Sequence, residues 1–244
     1  MTDRAVAVAP VRRIVALPPA FPGKPLAYVR VPQKAVAAHE AGHAAVAVML
    51  GAPIKYITFR SGRGAAGHAV WHEPPEWFVP GKGRALTPHG ALMLGLITAA
   101  GPLAERIDDI TRATKLNAAL DQHEMSLAFG YLNAAVAASI APNASKVPDM
   151  ERIAPVVRFA AAQVLHAMLG SAHRERQAVA DRLTTRGRLL AHEVMPLLQG
   201  LPRYSSSDIV DAMRTAGMPT MNRLPVDPPP WWGEAAASIP DRIP

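Results

Sequence analysis

The chain has 244 residues, of which 50% are hydrophobic and 5% aromatic, with a formal net charge of +7 and no cysteine. That length and apolar content suit a folded domain with a real core and exclude a disordered chain, and the lack of cysteine excludes disulfides and thiolate metal sites, so a zinc site would have to use His and carboxylates. The positive charge permits contact with nucleic acid or anionic surfaces without requiring it; because Lys and Arg are spread along the chain rather than blocked, specific nucleic-acid binding is not expected.

Residues 1–31 are rich in Pro, Val and Arg without sustained periodicity and read as a flexible N-terminal arm. Asp3, Arg4 and Pro10 make that stretch a poor secretory signal. No run of 18 uninterrupted apolar residues occurs, so no membrane span and a cytoplasmic location are expected. A helix follows over residues 33–50. Pro32 suits its first turn; Gly51 suits the position past its end, and Pro53 stops continuation. The helix is apolar nearly all round, the mark of a buried helix. Yet it carries His39, Glu40 and His43, which are costly to bury unless something satisfies them. Histidines four apart leave the same face about 6 Å apart at Cβ. Two imidazole nitrogens can then take two corners of a zinc tetrahedron at about 2.0–2.1 Å. Glu40 lies about 100° further round the axis, where a general base flanks a metal. Ala41 and Gly42 are small enough to let another element approach closely.

Ile54 to Arg60 alternates apolar and polar residues and predicts a strand; Ser61 to Gly64 is a turn, and residues 67–72 predict the returning strand. The glycines of this turn belong to no phosphate-binding motif. Residues 73–83 read as a loop around Trp77 and Phe78. A second apolar helix spans 88–107, with a bend expected near Gly101-Pro102 and Glu105 near its end. Residues 109–116 are ambiguous. Helices are predicted over 118–140, 149–170, 172–199 and 207–216, the last capped by Ser205 to Ser207. Residues 218–244 form a tail in which Pro228-Pro229-Pro230-Trp231-Trp232 reads as docked on the surface rather than displayed as a polyproline ligand. The expected class is mainly α with a small β-hairpin or sheet (α+β), a helical bundle around the His-Glu-x-x-His helix, with residues 32–217 as the domain.

A catalytic zinc takes three protein ligands and keeps one open position. His39 and His43 supply two. The third must come from a distant element, with Glu105, Asp108, Asp109, Asp121, His123 and Glu124 as candidates that spacing alone does not separate.

Ala38-His39-Glu40-Ala41-Gly42-His43-Ala44, followed by the strand Ile54 to Phe59, resembles the peptidase domain of the FtsH family of ATP-dependent zinc proteases. The family's later Ala-Gly-x-x-Ala-Glu stretch is matched by residues 100–105, and its closing helix pair is similar to residues 162–194, so the resemblance spans about 33–200. It implies a zincin-like fold and an Asp as third ligand. The family's separation from the Ala-Gly-x-x-Ala-Glu stretch selects Asp121; Asp109, within Asp109-Ile110-Thr111-Arg112-Ala113-Thr114, is the alternative. Glu105 is expected to accept a hydrogen bond from a ligand imidazole.

The function so implied is a zinc metalloendopeptidase with Glu40 as general base. The family couples its peptidase to an ATP-driven motor and usually a membrane anchor. The resemblance covers neither, so the expected substrates are unfolded polypeptides, or ones delivered by a separate ATPase or adaptor, and self-assembly is left open. Two rival readings use the same residues: a catalytically silent metal-binding regulatory or interaction module, and a zinc hydrolase acting on amides other than peptides.

Overall fold

The computed structural model describes residues 33–58, 67–82, 84–108, 115–144, 148–218 and 220–233; the side chains of 115–121, 123 and 150 lie outside that description. Helix α1 (Gln33–Met49) runs through the centre, with all but its first two residues and His39 buried. Gly51 takes a positive φ of 82° just past its end, a conformation open to glycine at little cost. Strand β1 (Ile54–Thr58) follows and pairs antiparallel with β2 (His68–Trp71). Between β2 and the next helix, a short 3-10 turn at Pro75–Trp77 buries Trp77, and Phe78 bridges to Leu86.

Helix α2 (Pro88–Ile107) starts at an N-cap, where the Thr87 hydroxyl accepts from Gly90 N–H at 3.0 Å. It lies along α1 in the opposite direction, since His43 meets Ile97 while His39 meets Glu105. Small residues permit the close approach. A Cβ on Gly42 would stand 2.5 Å from Ala104 Cβ and 2.8 Å from the Ala100 carbonyl oxygen, so any larger residue would force the two helices apart. Pro102 sits inside the helix; it cannot donate to the carbonyl four residues back. Helix α3 (Lys115–Ile140) returns along α2, with Ala128 and Leu132 against Gly95.

Helices α4 (Met150–Ser171) and α5 (His173–Arg186) follow, and α5 closes on α1. The single helix expected over 172–199 is instead three elements. Gly187, at φ 73°, ends α5 and accepts from the Thr58 hydroxyl through its carbonyl at 3.1 Å. Strand β3 (Arg188–Leu190) then joins β1, giving a three-stranded antiparallel sheet ordered β2-β1-β3. Helix α6 (Ala191–Leu198) resumes the helical path. The apolar pattern continues across the break, which hides it; the left-handed glycine makes it. Helix α7 (Ser206–Thr215) begins at a Ser205 capping box closed by Asp208.

The segment after α7 docks on the body. Trp231 and Trp232 are buried, and the Trp232 indole donates to the Leu86 carbonyl at 2.8 Å. The molecule is thus mainly helical with one small antiparallel sheet. By length and composition α2 and residues Glu151–Ser171 of α4 could each cross a membrane. In α2, 83% of the apolar window is buried inside the protein, which makes it a core helix; α4 leaves Val156 and Phe159 exposed.

Candidate metal centre

Three helices bring the chemistry together. α1 presents His39 and His43 one turn apart, their ring centroids 4.7 Å apart and their planes at 77°. α2 holds each ring from behind. His43 Nδ1 donates to the Ile97 carbonyl at 2.7 Å, and His39 Nδ1 donates to Glu105 Oε1 at 2.6 Å. α3 brings Glu124, whose Oε2 stands 3.0 Å from Nε2 of His39 and 3.6 Å from Nε2 of His43. The ligating atoms of His39, His43 and Glu124 all lie within 4.8 Å of one another, a group able to hold a metal ion.

The proton positions follow from the partners. A carbonyl only accepts, so His43 must carry its proton on Nδ1, and the Glu105 carboxylate claims the Nδ1 proton of His39. In the neutral rings both Nε2 atoms are then bare acceptors. They face each other at 3.0 Å, with a carboxylate oxygen beside them. That oxygen, Glu124 Oε2, is buried and has no hydrogen-bond partner despite its nearness to the rings. Three lone-pair atoms therefore converge on one place with no proton to share.

Without a metal, an added proton is the partial remedy. Burial alone would push the His39 imidazole down, but Glu124 beside it and the bond to Glu105 outweigh burial and hold its pKa well above the ordinary value. Burial likewise pushes Glu124 up, but His39 wins and holds it well below the usual carboxylate range. One proton can bridge only one pair of atoms. A divalent cation satisfies all three at once. On a tetrahedral zinc two nitrogens stand about 3.3 Å apart, so the two rings, at 3.0 Å, need to move by only a few tenths of an ångström. The residues present fit such an ion.

Glu40 points elsewhere on α1 and is 5% exposed. Its carboxylate accepts from the Ala69 N–H of β2, and it lies against Gly67, where a Cβ would come within 2.6 Å of Oε1. Burial pushes its pKa up, opposed by the two imidazoles. A carboxylate so raised is a better proton acceptor near neutrality.

The structure brings His39, His43 and Glu105 into contact, while Glu40 turns toward β2 and is reached by the two imidazoles through their charge. Of the six candidates for a third ligand, it brings Glu124 to the imidazoles and Glu105 behind them. Asp108 is committed elsewhere: both its oxygens receive the Arg176 guanidinium at 2.9 Å. Asp121 lies one turn before Glu124 on α3, but its side chain, like that of His123 and the whole of Asp109, lies outside the described residues. Positions 121 and 124 share a helix face, so spacing offered no way to prefer one. Arg176, buried at 1% exposure, was not foreseen.

Comparison with protein-family models and with curated proteins finds no match. The resemblance to FtsH-type peptidases rests on its motifs alone.

Proposed function

We propose that this chain is a zinc-dependent metalloendopeptidase with a zincin-like, FtsH-type peptidase fold, in which His39, His43 and Glu124 hold the ion and Glu40 is the general base. One observation carries the reading: two imidazole nitrogens, stripped of protons by their rear partners, converge with a buried carboxylate oxygen while a second buried carboxylate flanks them. Bound zinc would act as a Lewis acid on the scissile carbonyl and make a water molecule easier to deprotonate. Glu40 takes the water proton and delivers it to the leaving amine. Glu105 fixes the His39 tautomer and ring direction. An extended substrate can add to β2, an outer strand of the sheet, which gives main-chain hydrogen bonds with little sequence selectivity. β2 also holds Glu40 through Ala69, so the same strand would align substrate and base.

The substrates are unfolded polypeptides, or ones delivered by a separate ATPase or adaptor. The test is hydrolysis of a disordered, internally quenched polypeptide by the zinc-loaded protein and by Glu40→Gln. The variant should keep its zinc and lose about 10²–10⁴-fold in rate. Equal rates in the two proteins would remove the peptidase reading and leave a metal-binding protein.

A further inference from the structure

Four glycines lie in α1 and α2, and three of them have a plain packing role. A Cβ on Gly42 would meet Ala104 and the Ala100 backbone; on Gly90, the Trp77 backbone; on Gly95, Leu132 and the Ala128 carbonyl. Gly101 differs. Its Cβ would stand 2.4 Å from His43 Nε2, 2.6 Å from His39 Nε2 and 2.7 Å from His39 Cδ2. Those are the two ligand nitrogens, and no carbon survives that close to them. A zinc ion takes about 2.0–2.1 Å from such nitrogens. The space a side chain would fill at 101 is therefore space at metal distance from both rings.

Backbone conformation does not explain this glycine. Gly101 is inside a regular helix and is not among the described glycines with positive φ, which are Gly51, Gly81, Gly187 and Gly217. Apart from Pro, glycine is the poorest residue for a helix interior. The rings cannot simply swing clear of a side chain. Each is pinned through Nδ1, at 2.6 Å to Glu105 and 2.7 Å to Ile97, and both pins belong to α2 itself. Gly42 in turn fixes the distance between α1 and α2.

We propose that Gly101 is the positioning residue that keeps the ion's place open on the α2 side: any side chain there excludes the metal although both histidines and Glu124 remain. The inference rests on the metal centre proposed above. It adds α2 backbone as the back wall of the site, so the open coordination position faces away from α2.

The test is a zinc titration against a chromophoric chelator on the full chain, with circular dichroism and thermal unfolding in parallel. Wild type should bind one equivalent. Gly101→Ala should keep its helical signal and bind zinc at least 100-fold more weakly. Gly90→Ala, a packing substitution against the Trp77 backbone about three turns away on α2, should unfold earlier and bind zinc as wild type does. Because Gly101→Ala could lose its fold, the metal-free Tm of His39→Ala is measured in both backgrounds. His39→Ala removes the His39–Glu105 bond in both backgrounds but in Gly101→Ala also removes one of the two rings that the new Cβ would meet, so the clash predicts a smaller Tm loss there than in wild type. Undiminished zinc affinity in Gly101→Ala, or an equal Tm loss in both backgrounds, overturns the role of Gly101 while leaving the metal centre standing. No zinc bound by wild type overturns both.

Discussion

Two buried polar clusters lie within one turn of each other on the C-terminal half of α2, and they are satisfied in opposite ways. At Asp108 the account closes within the protein. Arg176 offers two N–H groups to two carboxylate oxygens at 2.9 Å, its Nε donates to the Leu169 carbonyl at 3.2 Å, and Gln177 adds a contact to Asp108 at 3.3 Å. Donors and acceptors balance, as a buried ion pair requires. At His39, His43 and Glu124 they do not. The donors of both rings face α2, and the remaining atoms are all acceptors. The same helix thus carries one site that is complete and one that calls for a cation. A list of buried charged residues would not distinguish them; counting protons does.

The comparison can be broken or sharpened in four ways, taken from the largest effect down. Arg176→Ala takes the guanidinium from the buried Asp108 carboxylate and leaves only Gln177 and His173 beside it, which should cost about 3–5 kcal/mol. Thermal unfolding should show a Tm lower by roughly 10 °C at about 2–4 °C per kcal/mol, by the same amount with zinc or with chelator. If chelator changed that difference, the two clusters would not be independent. Zinc at a hundredfold excess over its Kd should stabilise wild type by about 2.7 kcal/mol, and His43→Ala should abolish that gain. A zinc-induced Tm rise that survives His43→Ala would place the ion elsewhere. Glu105→Gln keeps a partner for His39 but removes its charge, and zinc affinity should fall about 10–100-fold in the same titration. Ser205→Ala, at the N-cap of α7 far from both clusters, should cost about 1 kcal/mol by denaturant unfolding and leave zinc affinity unchanged.

What could be read from the sequence follows the range of the interactions concerned. The C-terminal end of α1 is set by Gly51 and Pro53 beside it, and the shared face of His39 and His43 by a four-residue spacing, so both were legible. The same holds for α2, with Thr87 before Pro88, and for the β1–β2 hairpin. β3 was missed because only Gly187 marks the break in an otherwise continuous apolar pattern. Glu124 was one of six acids and histidines, and its selection depends on how α3 lies against α2, where Gly95 meets Leu132. That is a packing fact with no local signature. Arg176 likewise becomes significant only when α5 meets the end of α2, 68 residues from Asp108 in sequence.

The central claim is that two imidazoles on α1 and the Glu124 carboxylate on α3 share one ion. Zinc content after dialysis of wild type, Glu124→Gln and Asp121→Asn measures it most directly. The account predicts one zinc per chain in wild type and in Asp121→Asn, and loss of most of it in Glu124→Gln. Full zinc in Glu124→Gln with loss in Asp121→Asn would contradict the assignment of the third ligand, and no zinc in wild type would contradict the centre itself.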